Sequence, residues 1–164
     1  ATTDFDVWPS FSKTILVLLM FVGACAGSTG GGIKVSRIVI LFKSVLKELD
    51  FIVHPRNIRK LKMDGRVVEH AVIRSVNVFL ISYLFIFAGS VLLISLDNFD
   101  FTTNFTAVAA TINNIGPGLA VVGPTQNFGS FSDFSKIVLT FDMLVGRLEL
   151  FPLLILFSRR TWSK

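Results

Sequence analysis

The chain is 164 residues long, 52% hydrophobic and only 16% charged, and 17 of its residues are phenylalanine. Soluble domains carry about 25% charged residues, and a fold this small has too little interior to hide so many large rings, so lipid is the expected solvent. The single cysteine, Cys25, excludes an internal disulfide framework and a cysteine-rich metal site, and the net charge of +5 invites nucleic-acid binding only until its distribution is read.

In chain order, residues 1–6 (ATTDFD) carry no initiator Met and no basic signal-peptide region, and the chain is expected to continue a longer one. Residues 11–33 form the first apolar run, with Lys13 at its start and a glycine cluster at its end. Residues 33–50 continue as a basic amphipathic helix, with Ile33, Ile38, Leu41, Phe42, Val45, Leu46 and Leu49 at three- to four-residue spacing. Residues 51–70 form a connection with turn signals at His54-Pro55 and Asp64-Gly65, the latter between KLKM and RVVE and suited to a small hairpin. Residues 75–96 hold no charge, and at about 1.5 Å per residue they span the roughly 30 Å of a bilayer core. The outer connection, 97–135, has acids (Asp97, Asp100, Asp133) and no base. Its first part, 101–113, suits a helix too short to span; 114–130 is rich in glycine and proline. That combination predicts a re-entrant segment, tolerated at membrane depth only where protein or water covers the backbone. Residues 136–157 form a third apolar run, interrupted by Asp142, Arg147 and Glu149.

The charge follows this division. Ten of the 16 Lys and Arg residues lie between Lys34 and Arg74, and Arg159, Arg160 and Lys164 close the chain. Basic connections alternating with non-basic ones follow the positive-inside rule, which puts 34–70 and the C-terminus in the cytoplasm and argues against nucleic acid as a partner. A shift of 123 residues lays Phe11-Ser12-Lys13 on Phe134-Ser135-Lys136, and Met20, Val22 and Gly23 on Met143, Val145 and Gly146. The repeating unit is then span, short helix, loop, span, a building plan known in membrane transport proteins.

Three motifs carry candidate chemistry. Gly27-Ser28-Thr29-Gly30-Gly31-Gly32-Ile33-Lys34 is not a phosphate loop, because Ile33 separates the last glycine from the lysine and Val35 follows it. With Gly23 it puts five glycines in ten residues, each costing up to about 1 kcal/mol against Ala in a helix, so the first span is expected to break there. The break would expose carbonyls and hydroxyls to a watery path and serve as a gate; the alternative is that small residues allow close helix packing. The second motif is Thr111-Ile112-Asn113-Asn114-Ile115-Gly116-Pro117-Gly118. Carbonyls turned inward at a glycine can replace the hydration shell of a cation, and a short helix ending near Asn113 would aim its negative end at that cation. The alternative is a plain surface loop. In the third motif, Arg147 within an apolar run is costly and normally functional. By the shift it lies level with Ala24, beside the glycine break, where it is expected to latch the gate; the alternative is an ion pair with Asp142 or Glu149. His54, His70 and the sequon Asn104-Phe105-Thr106 read as loop residues and a chance match. No Ser-His-Asp set, paired carboxylate site or metal-ligand spacing occurs, so no enzyme is expected.

GACAGSTGGGIKVSRI at 23–38, INNIGPGL at 112–119 and MLVGRLELFPLLILF at 143–157 strongly resemble the Trk/Ktr/HKT potassium transporter superfamily, and among it the bacterial uptake subunits. The resemblance covers essentially the whole chain in order. It implies an all-α membrane protein of four span–pore helix–span repeats around one ion path, each with a re-entrant filter loop. On that plan residues 1–50 are the end of repeat three, with its broken pore-lining span and cytoplasmic extension. Residues 51–70 are the cytoplasmic connection, and 71–164 are repeat four. Gly116 matches the fourth filter glycine, Asn113, Asn114 and Ile115 lead into it and Pro117 follows, with potassium expected at Asn114, Ile115 and Gly116. Residues Gly23 to Gly32 match the intramembrane gating loop and Arg147 the pore arginine beside it.

The resemblance further implies a homodimer in the bacterial inner membrane, contacts with lipid and with the N-terminal repeats of the same chain, and a cytosolic nucleotide-binding regulatory subunit docked at 34–70 and the C-terminus. No cofactor is expected on this chain; potassium is the substrate and the nucleotide stays on the regulatory subunit. The expected function is that of the potassium-conducting subunit of a Trk-type uptake system. A sodium-selective or mixed cation relative and a non-conducting membrane scaffold remain as alternatives.

Overall fold

The structure, a computed structural model, describes residues 3–25, 27, 28, 30–55, 61–63 and 65–147. Its elements are α1 (Ser10–Met20), α2 (Val35–Val53), the strands β1 (Lys62–Met63) and β2 (Arg66–Val67), α3 (His70–Ile94), α4 (Phe101–Ile112) and α5 (Asp133–Arg147).

Helix α1 opens behind Pro9, whose fixed φ suits a helix entry, and Lys13 Nζ reaches back to donate to the Asp6 carbonyl at 3.0 Å. The helix stops at Met20 although apolar residues run on to Ile33. Hydrophobicity alone does not hold a helix where glycines make the ordered state expensive. Helix α2 follows and ends at His54, which leaves helical geometry with φ −130° and ψ 73°, because the ring of Pro55 crowds the residue before it. The expected hairpin forms: Lys62 pairs with Val67 and Met63 with Arg66, and Gly65 supplies the turn with φ +79°.

Helix α3 has 25 residues, or about 38 Å. Among the described residues it is the one helix long and apolar enough to cross a membrane. It begins five residues earlier than the uncharged run, because His70 to Arg74 extend it at the basic end. Its aromatic residues repeat every four positions, so Phe79, Tyr83 and Phe87 stack along one face at 6.2 and 6.4 Å. Phe21 and Phe105 meet Phe87 edge-on at 5.5 and 5.1 Å.

Helix α4 is the centre of the packing. Asp100 caps it, accepting from the Thr103 amide at 3.0 Å and from the Thr103 hydroxyl, and these bonds, the hydroxyl first, hold its carboxyl below the usual carboxylate range. From Thr103 to Ile112 every residue but Phe105 is buried, because α1, α3, α5 and the segment that follows all lie against it. The alanines at 107, 109 and 110 let those neighbours approach closely. The return segment is strapped to α4 through Thr106, whose hydroxyl accepts from the Leu119 amide at 3.0 Å, and is tied to the turn that follows α3, where the Ser132 amide donates to Asp97 at 2.9 Å.

Helix α5 starts 123 residues after α1, at Asp133 against Ser10, as the internal repeat anticipates. Buried Asp142 accepts from Ser90 Oγ of α3 at 2.7 Å, a hydroxyl contact across the α3–α5 seam in place of the alternative ion pair with Arg147. The rest of the third apolar run, with Glu149 and the basic C-terminus, lies outside the described residues. The outward faces are apolar: Phe85 is 77% exposed, Leu92 71% and Ile137 69%. That inversion suits lipid or further protein, not water.

Candidate ion path

Between α1 and α2 the chain forms a closed loop. The Gly23 amide donates to the Ile33 carbonyl at 2.9 Å and the Val35 amide to the Ala24 carbonyl at 3.2 Å, so two strands of main chain are zipped at the neck. Toward the tip the Ser28 amide donates to the Cys25 carbonyl at 3.1 Å, and Ser28 Oγ accepts from the Gly30 amide at 3.2 Å. The expected break at the glycines is therefore present, as a folded loop and not as frayed helix. Thr29 lies outside the described residues.

At the end of α4 the chain turns by a Schellman motif. The Ile115 amide donates to the Ala110 carbonyl at 2.9 Å and the Asn114 amide to the Thr111 carbonyl at 3.0 Å. Asn114 takes the left-handed conformation this requires, φ +53°. Asparagine tolerates that region best among residues with side chains, which explains the second Asn of the pair. The first, Asn113, is buried and its side chain does the anchoring: its amide donates to the Ala109 carbonyl at 2.8 Å, and its Oδ1 accepts from the Tyr83 hydroxyl at 3.0 Å. Past the turn, Gly116 has φ +115°, a conformation open to glycine. Among the described residues none donates to the carbonyls of Asn114, Ile115 or Gly116. Main-chain oxygens without partners are what a cation losing its water would need.

The two segments meet. A Cβ on Gly31 would stand 2.6 Å from the Asn113 carbonyl oxygen, so the loop packs main chain against main chain below the end of α4. Gly23, Gly30 and Gly31 from the loop, and Asn113, Asn114, Ile115 and Pro117 from the turn, line one cavity of about 450 Å³. Gly116 borders a different one, of about 260 Å³, on the α5 side, and Gly27 and Ser28 sit at the exposed loop tip, away from both. Helix α5 seats against the same turn: Gly146 lies so close to the Ile112 carbonyl that a Cβ there would overlap it at 1.8 Å. Asn114 Nδ2 donates to the Met143 carbonyl at 3.1 Å. Gly146 also shares a void of about 20 Å³ with Gly30 and Gly32 of the loop. Arg147 follows it as the exposed last residue of α5.

Reading the sequence missed Tyr83 and Gly146 as parts of this arrangement. Tyr83 is the chain's only tyrosine, a single phenol in an uncharged span, and that isolation was the available signal. Gly146 was visible as the repeat partner of Gly23, but its seat under the Ile112 carbonyl depends on tertiary packing.

A chain with apolar outer faces, a broken helix and a short buried helix whose turns share one cavity belongs to the class of helical integral membrane proteins. Its whole length, residues 1–164, matches the family model for TrkH, cation transport protein. It is 42% identical over 164 residues to the Trk system potassium uptake protein TrkH of Salmonella typhimurium, covering 99% of this chain and 34% of that protein. It is 38% identical to the Trk system potassium uptake protein TrkG of Escherichia coli, over 99% of this chain and 33% of the relative. The crystal structure of the potassium transporter TrkH from Vibrio parahaemolyticus superposes with a TM-score of 0.89 at 42% identity, over 99% of this chain and 34% of that one. The chain therefore belongs to the TrkH family of cation transport proteins, and it spans about a third of the length of the relatives it matches. Those relatives are named for uptake and not for catalysis.

Proposed function

We propose that this chain forms part of the potassium-conducting subunit of a Trk-type uptake system, with the turn after α4 as one filter loop and the glycine loop as its gate. The observation that carries the reading is the shared cavity of about 450 Å³ between the two loops, beside carbonyls at 114–116 that accept no hydrogen bond among the described residues. Helix α4 is then a pore helix with its negative end toward the cation, α3 and α5 flank it as repeat four, and residues 1–50 close repeat three, joined through 51–70. Potassium is bound by the carbonyls of Asn114, Ile115 and Gly116.

Arg147, adjoining the residue that shares a void with the glycine loop, latches the gate from the cytoplasmic side. The density of Lys and Arg between Lys34 and Arg74 supports an inner-membrane topology with 34–70 and the C-terminus cytoplasmic. It also supports docking of a cytosolic regulatory subunit that carries any nucleotide, on a homodimer of the full protein.

The test is growth of a potassium-uptake-deficient bacterial strain on low potassium, carrying the full-length gene, together with rubidium and sodium flux. Rescue with rubidium preferred over sodium is expected. Rescue failing despite membrane insertion would favour a scaffold, and sodium flux exceeding rubidium flux a sodium-selective relative.

A further inference from the structure

Asn113 lines the cavity on one side of the glycine loop, and Tyr83, which holds its side chain, lines the void on the other. Three elements converge on that side chain. Its Nδ2 is fixed on the Ala109 carbonyl of α4 at 2.8 Å. Its Oδ1 takes the Tyr83 hydroxyl of α3 at 3.0 Å. A Cβ on Gly32 would come within 2.9 Å of the same Oδ1, so the glycine loop rests on it. The main chain of Asn113 is the root of the Schellman turn and touches Gly31 through its carbonyl. One amide side chain thus stands between the loop assigned above as the gate and the turn assigned as the filter, and Tyr83 with the Ala109 carbonyl sets which way that amide faces.

We propose that Tyr83 is a positioning residue of the ion path: through Asn113 it fixes the distance between the filter root and the glycine loop, so that the two cannot move independently. This rests on the functional reading above and deepens it, because it names what couples the two loops. Tyr83 suits the role. It is 3% exposed, its ring is locked between Phe79 and Phe87, and a side chain with two soft torsions brings its hydroxyl to a defined place. Without the hydroxyl, Asn113 Oδ1 is left buried with the Gly32 main chain as neighbour and no donor, and the amide gains freedom to turn.

The test uses the full-length protein in proteoliposomes, with Tyr83→Phe, which keeps the ring and its stacking. The preference for rubidium over sodium should fall about three- to tenfold, the span expected for losing one buried neutral hydrogen bond, with the amount of inserted protein unchanged. Selectivity equal to wild type overturns the proposal. Where Tyr83→Phe leaves too little flux for a ratio, the modification rate of Cys25 by a small thiol reagent decides, in a background without other cysteines. Cys25 lies in the glycine loop and is exposed, so a loosened loop should react several times faster, and a wild-type rate overturns the proposal. Wild-type protein that carries no rubidium would instead strike the functional reading, while the Cys25 comparison still tests the Tyr83 contact.

Discussion

At the scale of single residues, the glycines of this chain are required for different physical reasons. Gly116 needs its φ of +115°, which other residues reach only with strain, but a Cβ there would meet nothing within 4 Å. Gly31 has the opposite constraint, since a Cβ would drive into the Asn113 carbonyl at 2.6 Å, a backbone atom that cannot turn aside. Gly31→Ala in the full-length protein should therefore push the glycine loop off the turn after α4, at a cost of about 1–3 kcal/mol of packing. Transport should fall about tenfold or more while the protein still inserts, read as rubidium uptake per amount of membrane protein. Wild-type uptake would mean the loop does not rest on Asn113. The sequence made both glycines visible but not the distinction between them, because only the fold brings residue 31 against residue 113.

At the scale of elements, periodicity and glycine content said most of what mattered. The hairpin at 62–67, the long apolar α3 and the short α4 stand where residue patterns put them, since each is determined locally by turn residues or composition. The ends of α1 were harder to read: eleven residues are helical within an apolar run twice that length, and only the cost of glycine shows where it stops. Helix α5 was legible at its start through the repeated Phe-Ser-Lys, but its charged residues were not. Asp142 stands, with Glu149, as the alternative partner for Arg147, yet it bonds Ser90 of α3, because residues five apart on a helix point to different sides. Arg147 is thereby left at the exposed end of α5, next to the glycine seated on Ile112. If its charge opposes cation passage and steadies the loop, Arg147→Ala should raise rubidium flux about tenfold or more, because a unit charge within roughly 10 Å of the path at an effective dielectric near 20 costs a passing cation at least about 1.7 kcal/mol. Flux that is unchanged or lost in a normally inserted variant would refute the latch.

At the scale of the whole molecule, the repeat and the motif order could be read from the sequence, whereas the closeness of the two loops could not. Residues 23–32 and 113–117 are some ninety positions apart, and nothing in either motif states that they share a wall. That juxtaposition follows from α4, whose buried flanks take α1 on one side and α5 on another, bringing the loop after α1 beneath the turn after α4. The same packing shows what this chain does not enclose. Ile115 is 45% exposed, and large apolar side chains on α1, α3 and α5 face outward, so on the proposed function the described residues supply one wall of the path. A cation in contact with one wall keeps most of its charge exposed to lipid, at a cost of many kcal/mol, and conduction needs oxygens from all sides. The 164-residue chain reconstituted alone in liposomes should therefore give no rubidium flux above empty vesicles, while the full-length protein at equal protein-to-lipid ratio conducts. Flux from the short chain would show that copies of it assemble a complete path, and would overturn the placement of these residues as one part of a single-chain pore.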